Sequence, residues 1–384
     1  MQRGLYTEEH EAFRQTVRTY VEREVLPNLD QWDADRLIGR EAWRAAGRQG
    51  IVGLSGPEDC GGGGLTDYRF RNVVQEEFAK VGAASLSSSF SLQDDIVIPY
   101  VAGLATEEQR KRWLTGMCKG ELIGAIAMTE PGAGSDLRGI RTTAQRVGDG
   151  WRINGSKTFI TSGYQADFVI VVARTGAGTG SDAFSLIMVE TGTPGFTRGR
   201  KLDKIGLPAQ DTAELFFEDV VVPADHLLGA EGGALRQLMH HLPMERLSIA
   251  TTAVAASDAA FGWTLDYVQQ RQAFGQPIAD FQNTRFVLAE IATELDVTRA
   301  YVDKAVLAVG TGDLTAVEAA KAKLWASETQ GRVIDRLLQL YGGYGYMNEY
   351  PIARAYRDER VQRIFGGTSE IMKHIIGRDL VGRR

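Results

Sequence analysis

Residues 128–136 (MTEPGAGSD) combine glycines with hydroxyl-bearing and acidic side chains. Glycine lets a backbone come close to a ligand, and the free amide and hydroxyl groups offer hydrogen bonds. The segment is therefore suited to hold a planar heterocycle or a phosphate. A tight loop without a ligand is the alternative interpretation.

Two further segments carry groups suited to a phosphate-bearing ligand. Residues 271–275 (RQAFG) place the guanidinium of Arg271 beside the ring of Phe274, and a guanidinium binds pyrophosphate through paired hydrogen bonds. Residues 339–343 (QLYGG) place two glycines after a long helical pattern. A helix cap explains these glycines equally well.

The usual signatures of nucleotide and metal sites are incomplete. Residues 155–157 (GSK) lack the upstream glycine of a P-loop, and 132–134 (GAG) are not completed to a dinucleotide-binding fingerprint. The adjacent His240 and His241 point about 100° apart on a helix, which makes them poor co-ligands. The sequence predicts neither an ATP site nor a metal site.

The composition is that of a globular protein. Lys and Arg number 43 and Asp and Glu 49, giving a net charge of −6 with the signs interspersed, which argues against a nucleic-acid-binding protein. Two cysteines, Cys60 and Cys118, exclude a disulfide framework or a four-cysteine zinc site. No apolar run is long enough to span a bilayer, and the acidic N-terminus is unlike a leader peptide. We expect a soluble protein of the bacterial cytoplasm, with a mature mitochondrial matrix protein as the alternative.

The elements that must position these segments change type twice along the chain. Helical periodicity, with Thr7 as an N-cap, covers the first third, and alternating patterns from about Ile123 predict short strands, with 175–181 as a strand connection. Helical patterns then return over 235–270, 282–310 and 316–340. We predict an α+β protein with domains over 1–122 (helical), 123–232 (β) and 233–384 (helical bundle).

Five segments in this order resemble the acyl-CoA dehydrogenase family. The resemblance implies an N-terminal helical domain, a middle antiparallel β domain and a C-terminal four-helix bundle. It also implies a homotetramer in which FAD crosses a subunit interface. The segments are MTEPGAGSD (128–136), NGSKTFITSG (154–163), RQAFGQPIADFQ (271–282), QLYGGYGYMNEYPIAR (339–354) and IFGGTSEIM (364–372).

The resemblance also assigns cofactor contacts. One group lines the flavin of its own subunit, a second reaches the flavin of a partner subunit, and a third makes the last flavin contacts. The first group is Ile126, Met128, Thr129, Gly134, Ser135, Phe159, Ile160 and Thr161; the second is Arg271, Phe274, Phe281, Gln282, Gln339, Gly342 and Gly343; the third is Thr368 and Glu370.

The implied reaction removes a proton from the α carbon of a saturated acyl thioester while hydride passes from the β carbon to flavin N5. Many members carry the base just before a Gly-Thr pair, where this chain has Gly366. Another branch carries it immediately before an arginine, which here gives Glu245 before Arg246. A solvated glutamate in an ion pair is the alternative interpretation of Glu245.

Further substrate contacts follow from the same resemblance. Ser135, Met244 and Arg246 would lie near the thioester, and the backbone N–H of Gly366 would bond its carbonyl oxygen. The absence of a side chain at Gly366 would leave room for a wider acyl chain.

The segments most resemble the long-chain members of the family, which implies a long acyl-CoA substrate and electron-transfer flavoprotein as acceptor. Medium-chain, branched (isovaleryl-like) and sterol-side-chain thioesters remain alternatives. An acyl-CoA oxidase often carries an additional C-terminal domain, and we expect a dehydrogenase because the sequence stops directly after the last motif. A non-catalytic flavin-binding protein is a further alternative, since fold does not fix function.

Overall fold

In this computed structural model, residues 3–176 and 180–382 are described, and they follow the order of helices, sheet and helices. The α+β class and this order of domain types are confirmed. Part of the predicted 175–181 connection, residues 177–179, lies outside the described residues. The domain boundaries after 122 and 232 stay predictions; the first falls just before the first strand and the second just before the longest helix.

The first part of the chain is helical. Thr7 precedes the first helix in an extended conformation, as predicted for an N-cap. Three helices continue into wider π-helical turns over Val21–Val25, Leu92–Val97 and Arg110–Leu114. The helices are α1 (Glu8–Tyr20), α2 (Leu29–Asp35), α3 (Arg40–Arg48), α4 (Tyr68–Lys80), α5 (Ala84–Ser91), α6 (Ile98–Leu104), α7 (Glu107–Gln109) and α8 (Thr115–Cys118).

The middle part is one eight-stranded sheet in the order β6-β7-β3-β2-β4-β5-β8, with β1 also paired to β4. Its central strands β4 and β5 are buried along almost their whole length, which explains their continuous apolar sequence. The strands are β1 (Gly124–Ala127), β2 (Thr143–Val147), β3 (Gly150–Thr161), β4 (Phe168–Arg174), β5 (Phe184–Glu190), β6 (Phe196–Lys201), β7 (Thr212–Pro223) and β8 (Leu227–Leu228).

The sheet is mixed rather than purely antiparallel. Most pairs are antiparallel, as the resemblance implied, but β1 runs parallel to β4 from Gly124 beside Phe168 to Ala127 beside Val171. Strands β2 and β4 also meet in parallel at Thr143 and Arg174. A parallel pair needs a long crossover connection, and the antiparallel hairpin of β2 and β3 lies in the chain between β1 and β4 and supplies it.

The last part of the chain is again helical. Alanines on α9 and α11 share one buried cluster, which lets these two long helices approach closely, and α9 also packs on α4 of the first part. No helix in the described ranges is long and apolar enough to cross a membrane. The elements are α9 (Ala234–Gln270), β9 (Gln272–Ala273), β10 (Gln276–Pro277), α10 (Gln282–Gly310), α11 (Ala316–Leu340), α12 (Pro351–Glu359) and α13 (Ser369–Val381).

Candidate active site

A deep cavity lies where the sheet meets the helices of both ends of the chain. Helices α4 and α5 form one wall, α9 and α12 form another, and the ends of β1 and β3 form a third. The cavity brings together predicted site residues that are far apart in sequence. These are Ile126, Met128, Thr129, Phe159, Ile160, Thr161, Glu245 and Gly366.

A buried ion pair fixes the segment after β1 at this cavity. Lys157 on β3 is fully buried, and its Nζ lies 2.8 Å from Glu130 Oε1 and donates to the Met128 carbonyl at 3.1 Å. Glu130 also accepts the backbone N–H groups of Arg141 and Thr142 at 2.7 and 2.9 Å. Burial alone would raise the pKa of Glu130, but these bonds outweigh it and hold the pKa below its usual value.

Phe159 enters the cavity because β3 is irregular at that point. The pairing of β3 with β7 shifts register between Lys157 and Ile160, and Phe159 has a φ of 58°. That left-handed conformation is strained for a bulky residue. The bulge turns the ring out of the sheet core, so that Phe159 is 67 % exposed and lines the cavity.

Glu245 is a buried carboxyl group on α9. Only 4 % of the residue is exposed, and the Tyr100 hydroxyl lies 3.5 Å from its Oε1. Burial raises the pKa of Glu245 to about 7; Arg246 and Tyr100 oppose the shift, while Asp95 adds to it. Within the described chain Glu245 forms no salt bridge, so the alternative of a solvated, ion-paired glutamate is wrong.

Gly366 also lines the cavity, in a left-handed conformation with a φ of 63°. A β carbon placed there would overlap Cδ1 of Ile249, which lies one helical turn beyond Glu245 on α9. Ile249 therefore occupies the space that a side chain at 366 would take. The prediction that this glycine leaves room for a wider acyl chain stays a prediction, because only the position of its β carbon is taken by Ile249.

Several predicted residues do not line this cavity. Gly134 and Ser135 are exposed on the connection between β1 and β2. On α9, Met244 packs against a hydrophobic cluster, while Arg246 is buried with no hydrogen-bond partner for Nε in the described residues. The last two cofactor residues lie at the start of α13, where Thr368 accepts the Ile371 N–H at 3.4 Å and Glu370 is exposed.

A second cleft lies at the end of α11 and shares no described lining residue with the first cavity. It contains four of the residues predicted to reach a partner's flavin, namely Arg271, Gln339, Gly342 and Gly343. The Arg271 guanidinium lies 5.1 Å from the ring centroid of Tyr344. Of the other three, Phe274 lies in the turn between β9 and β10 and is 97 % exposed. Phe281 and Gln282 follow this hairpin. Phe281 is half-buried, with its ring centroid 6.1 Å from that of Phe274, and Gln282 is exposed.

The sequence interpretation missed a network of buried polar residues next to Glu245, two of which, Gln75 and Ser248, also line the cavity. Ser248 donates to Asp95 at 2.5 Å and accepts Gln75 Nε2 at 3.2 Å, and Asp95 also accepts Arg71 Nε at 3.3 Å. All four residues are buried. The available signal was an acidic residue within an apolar helical pattern, but its partners are distant in sequence.

Comparison with known proteins agrees with this architecture. Family models for the acyl-CoA dehydrogenase N-terminal, middle and C-terminal domains match residues 7–121, 125–220 and 232–381. The chain is 50 % identical over 381 residues to the mitochondrial long-chain specific acyl-CoA dehydrogenase of Sus scrofa, covering 99 % of this chain and 88 % of that protein.

Solved structures give the same result. The crystal structure of an acyl-CoA dehydrogenase from Geobacillus kaustophilus superposes with a TM-score of 0.95 at 45 % identity, covering 99 % of this chain and 100 % of that one. A glutaryl-CoA dehydrogenase from Mycobacterium smegmatis in complex with FADH2 gives 0.91 at 28 % identity, with 99 % and 96 % covered. The chain therefore belongs to the acyl-CoA dehydrogenase family and is an oxidoreductase of that family.

Proposed function

We propose that this protein is an FAD-dependent dehydrogenase that converts long-chain saturated acyl-CoA to trans-2-enoyl-CoA in fatty-acid β-oxidation, with Glu245 as the base. One observation carries the proposal: a buried carboxyl group with a pKa of about 7 faces the same cavity as Thr129, Phe159 and Thr161. A base with a pKa near the working pH is deprotonated in a large fraction of molecules and is still basic enough to take a proton from the substrate. The long-chain preference is supported by the 50 % identity to a long-chain specific relative.

The cavity residues suit a flavin. Met128, Thr129 and the segment 159–161 form a wall with both apolar and hydroxyl groups, as a polar ring system requires. Gln362 lines the same cavity, and its buried Oε1 has no hydrogen-bond partner in the described residues, so it can accept from a ligand N–H. When bound, FAD supplies the hydride acceptor.

The chain's own residues then handle the proton and the thioester. Glu245 as a carboxylate takes the α proton, and the buried site keeps water away from that proton transfer. The N–H of Gly366 bonds the thioester carbonyl oxygen, which acidifies the α proton. Ser135, Met244 and Arg246 remain proposed substrate contacts only through the family resemblance, because they do not line the cavity.

The assembly and the electron acceptor are also proposals. A homotetramer is supported by the second cleft and by the exposed Phe274, which together offer a surface for a partner's flavin. Thr368 and Glu370 would complete the flavin site at the start of α13. Electron-transfer flavoprotein is the proposed acceptor, and rapid peroxide formation in air would indicate an acyl-CoA oxidase instead.

The test is anaerobic addition of palmitoyl-CoA to the flavin-loaded protein, with isovaleryl-CoA in parallel, while the oxidised-flavin absorption is followed. Bleaching by palmitoyl-CoA is the expected result. Bleaching by isovaleryl-CoA alone would move the substrate to the branched class. A flavin-loaded protein that neither thioester bleaches would overturn the catalytic proposal and favour a non-catalytic member of the family.

A further inference from the structure

The cavity follows one face of α9 well beyond Glu245. Because successive residues on a helix turn by about 100°, the cavity-lining residues of α9 fall within an arc of roughly 100°. Trp263 lies about five full turns after Glu245 and so points in the same direction. These residues are Glu245, Ser248, Ile249, Thr252, Ala256 and Trp263.

The opposite wall runs alongside this stripe. At the Glu245 end, Gln75 of α4 bonds Ser248, and at the far end a β carbon at Gly82 would lie 3.8 Å from the Trp263 ring. The wall near that end is built from small residues, which leave the space between the helices open. They are Ala79, Gly82 and Ala84, facing Ala256 on α9.

Trp263 stands at the boundary between this space and solvent. Its indole N–H donates to the Lys80 carbonyl at 3.1 Å, which ties the ring to the end of α4. The residue lines the cavity yet remains partly exposed. One side of the ring therefore faces the cavity while the residue also reaches the protein surface.

The length of the enclosed space follows from helix geometry. Trp263 lies roughly 27 Å along the axis from Glu245. Both side chains lean toward the start of the helix, so the lean does not change this separation. A contact distance of about 3.5 Å at each end leaves about 20 Å for the chain. An extended hydrocarbon with C–C bonds of about 1.5 Å advances about 1.25 Å per carbon. The space thus holds a chain of roughly 16 carbons.

We propose that Trp263 ends the acyl subsite and sets the upper limit of chain length. This inference rests on the proposed function. Saturated thioesters of up to roughly 16 carbons lie enclosed between Glu245 and the indole ring, and longer chains must displace the ring from Lys80. Trp263 is a specificity-determining residue and takes no part in proton or hydride transfer.

Two substitutions change the length of the subsite in opposite directions. Ala256→Phe places a ring about halfway along the stripe, and we expect the kcat/KM ratio of palmitoyl-CoA to octanoyl-CoA to fall on the order of 100-fold. Trp263→Ala opens the far end, and we expect the ratio of eicosanoyl-CoA to palmitoyl-CoA to rise on the order of tenfold. Trp263→Phe keeps an aromatic ring and should give an intermediate ratio.

Phe261→Ala is the matched control, because Phe261 lies on the same helix about 160° away from the stripe and outside the cavity lining. It should leave both ratios unchanged. If Ala256→Phe and Trp263→Ala lower kcat/KM equally for all chain lengths while flavin content is retained, Trp263 does not limit chain length. The proposed dehydrogenase function would still stand. If no thioester bleaches the wild-type flavin, the proposed function fails instead.

Discussion

Glu245 shows how a single residue acquires its chemistry from its surroundings. The carboxyl is buried, and that burial raises its pKa to about 7. Its base form therefore increases as the pH rises through about 7, so kcat/KM should rise over the same range. Because the pKa of Glu245 is higher in the folded chain than in the unfolded chain, ionising this carboxyl destabilises the fold. This cost grows as the pH rises and is largest above pH 7.

Glu245→Gln removes the proposed base at nearly constant side-chain shape. We expect flavin to stay bound and turnover with palmitoyl-CoA to fall by at least about 10³-fold. The variant should also melt at a higher temperature than the wild type at pH 8, because the buried charge is gone. Glu22→Gln, an exposed glutamate in the first helical region, is the control. Near-normal turnover would refute the assignment of the base.

Tyr100 is a positioning residue for this carboxyl. Its hydroxyl donates a hydrogen bond to Glu245. Its ring centroid lies 4.2 Å from that of His241, which is on α9 one turn before Glu245. Loss of this donor should raise the pKa of Glu245. In Tyr100→Phe, the midpoint of the rise of kcat/KM with pH (the acid limb) should therefore move upward on the order of half a pH unit. Tyr20→Phe also removes a buried hydroxyl, which donates to the Ala42 carbonyl, and should leave the limb in place. Equal midpoints in both variants would contradict this role.

At the scale of elements, Gly366 and α9 constrain each other. The double variant Glu245→Ala, Gly366→Glu moves the proposed base to position 366. A side chain there adopts a left-handed backbone conformation, which costs about 1–3 kcal/mol of stability. It also meets the side chain of Ile249. We expect little recovery until Ile249→Ala is added. The triple variant should then exceed Glu245→Ala by about tenfold or more with straight-chain substrates. Equal turnover in the double and triple variants would show that Ile249 is no obstacle.

The pair of Lys157 and Glu130 joins β3 to the segment after β1. Lys157→Met leaves an uncompensated buried carboxylate, so we expect a loss of about 3–5 kcal/mol in stability and weaker flavin retention, because Met128 and Thr129 lose their support. Melting temperature and flavin content measure both effects. Lys111→Met breaks an exposed pair with Glu107 and should change neither. An unchanged flavin content in Lys157→Met would contradict the positioning role.

At the scale of the whole molecule, the cavity that contains Glu245 is lined by residues from all three parts of the chain. The second cleft lies apart from it. If that cleft serves a partner's flavin, Arg271→Ala should weaken flavin binding by about tenfold or more, through loss of a charge-assisted bond. The loss should grow on dilution, because dissociating subunits release flavin. Arg285→Ala, which breaks an exposed pair with Asp280, is the control. Equal flavin retention in both variants would argue against a shared site.

The sequence by itself determined the order of helices, strands and helices, because hydrophobic periodicity is a local property. Its motifs identified the family and, through that resemblance, made Glu245 the proposed base, since glycine at 366 carries no carboxylate. Only the tertiary structure showed that Ile249 lies in the space beside Gly366, that β1 pairs in parallel with β4, and that Trp263 lines the same cavity as Glu245. These facts depend on contacts between residues distant in sequence, and burial, which raises the pKa of Glu245, exists only after those contacts form.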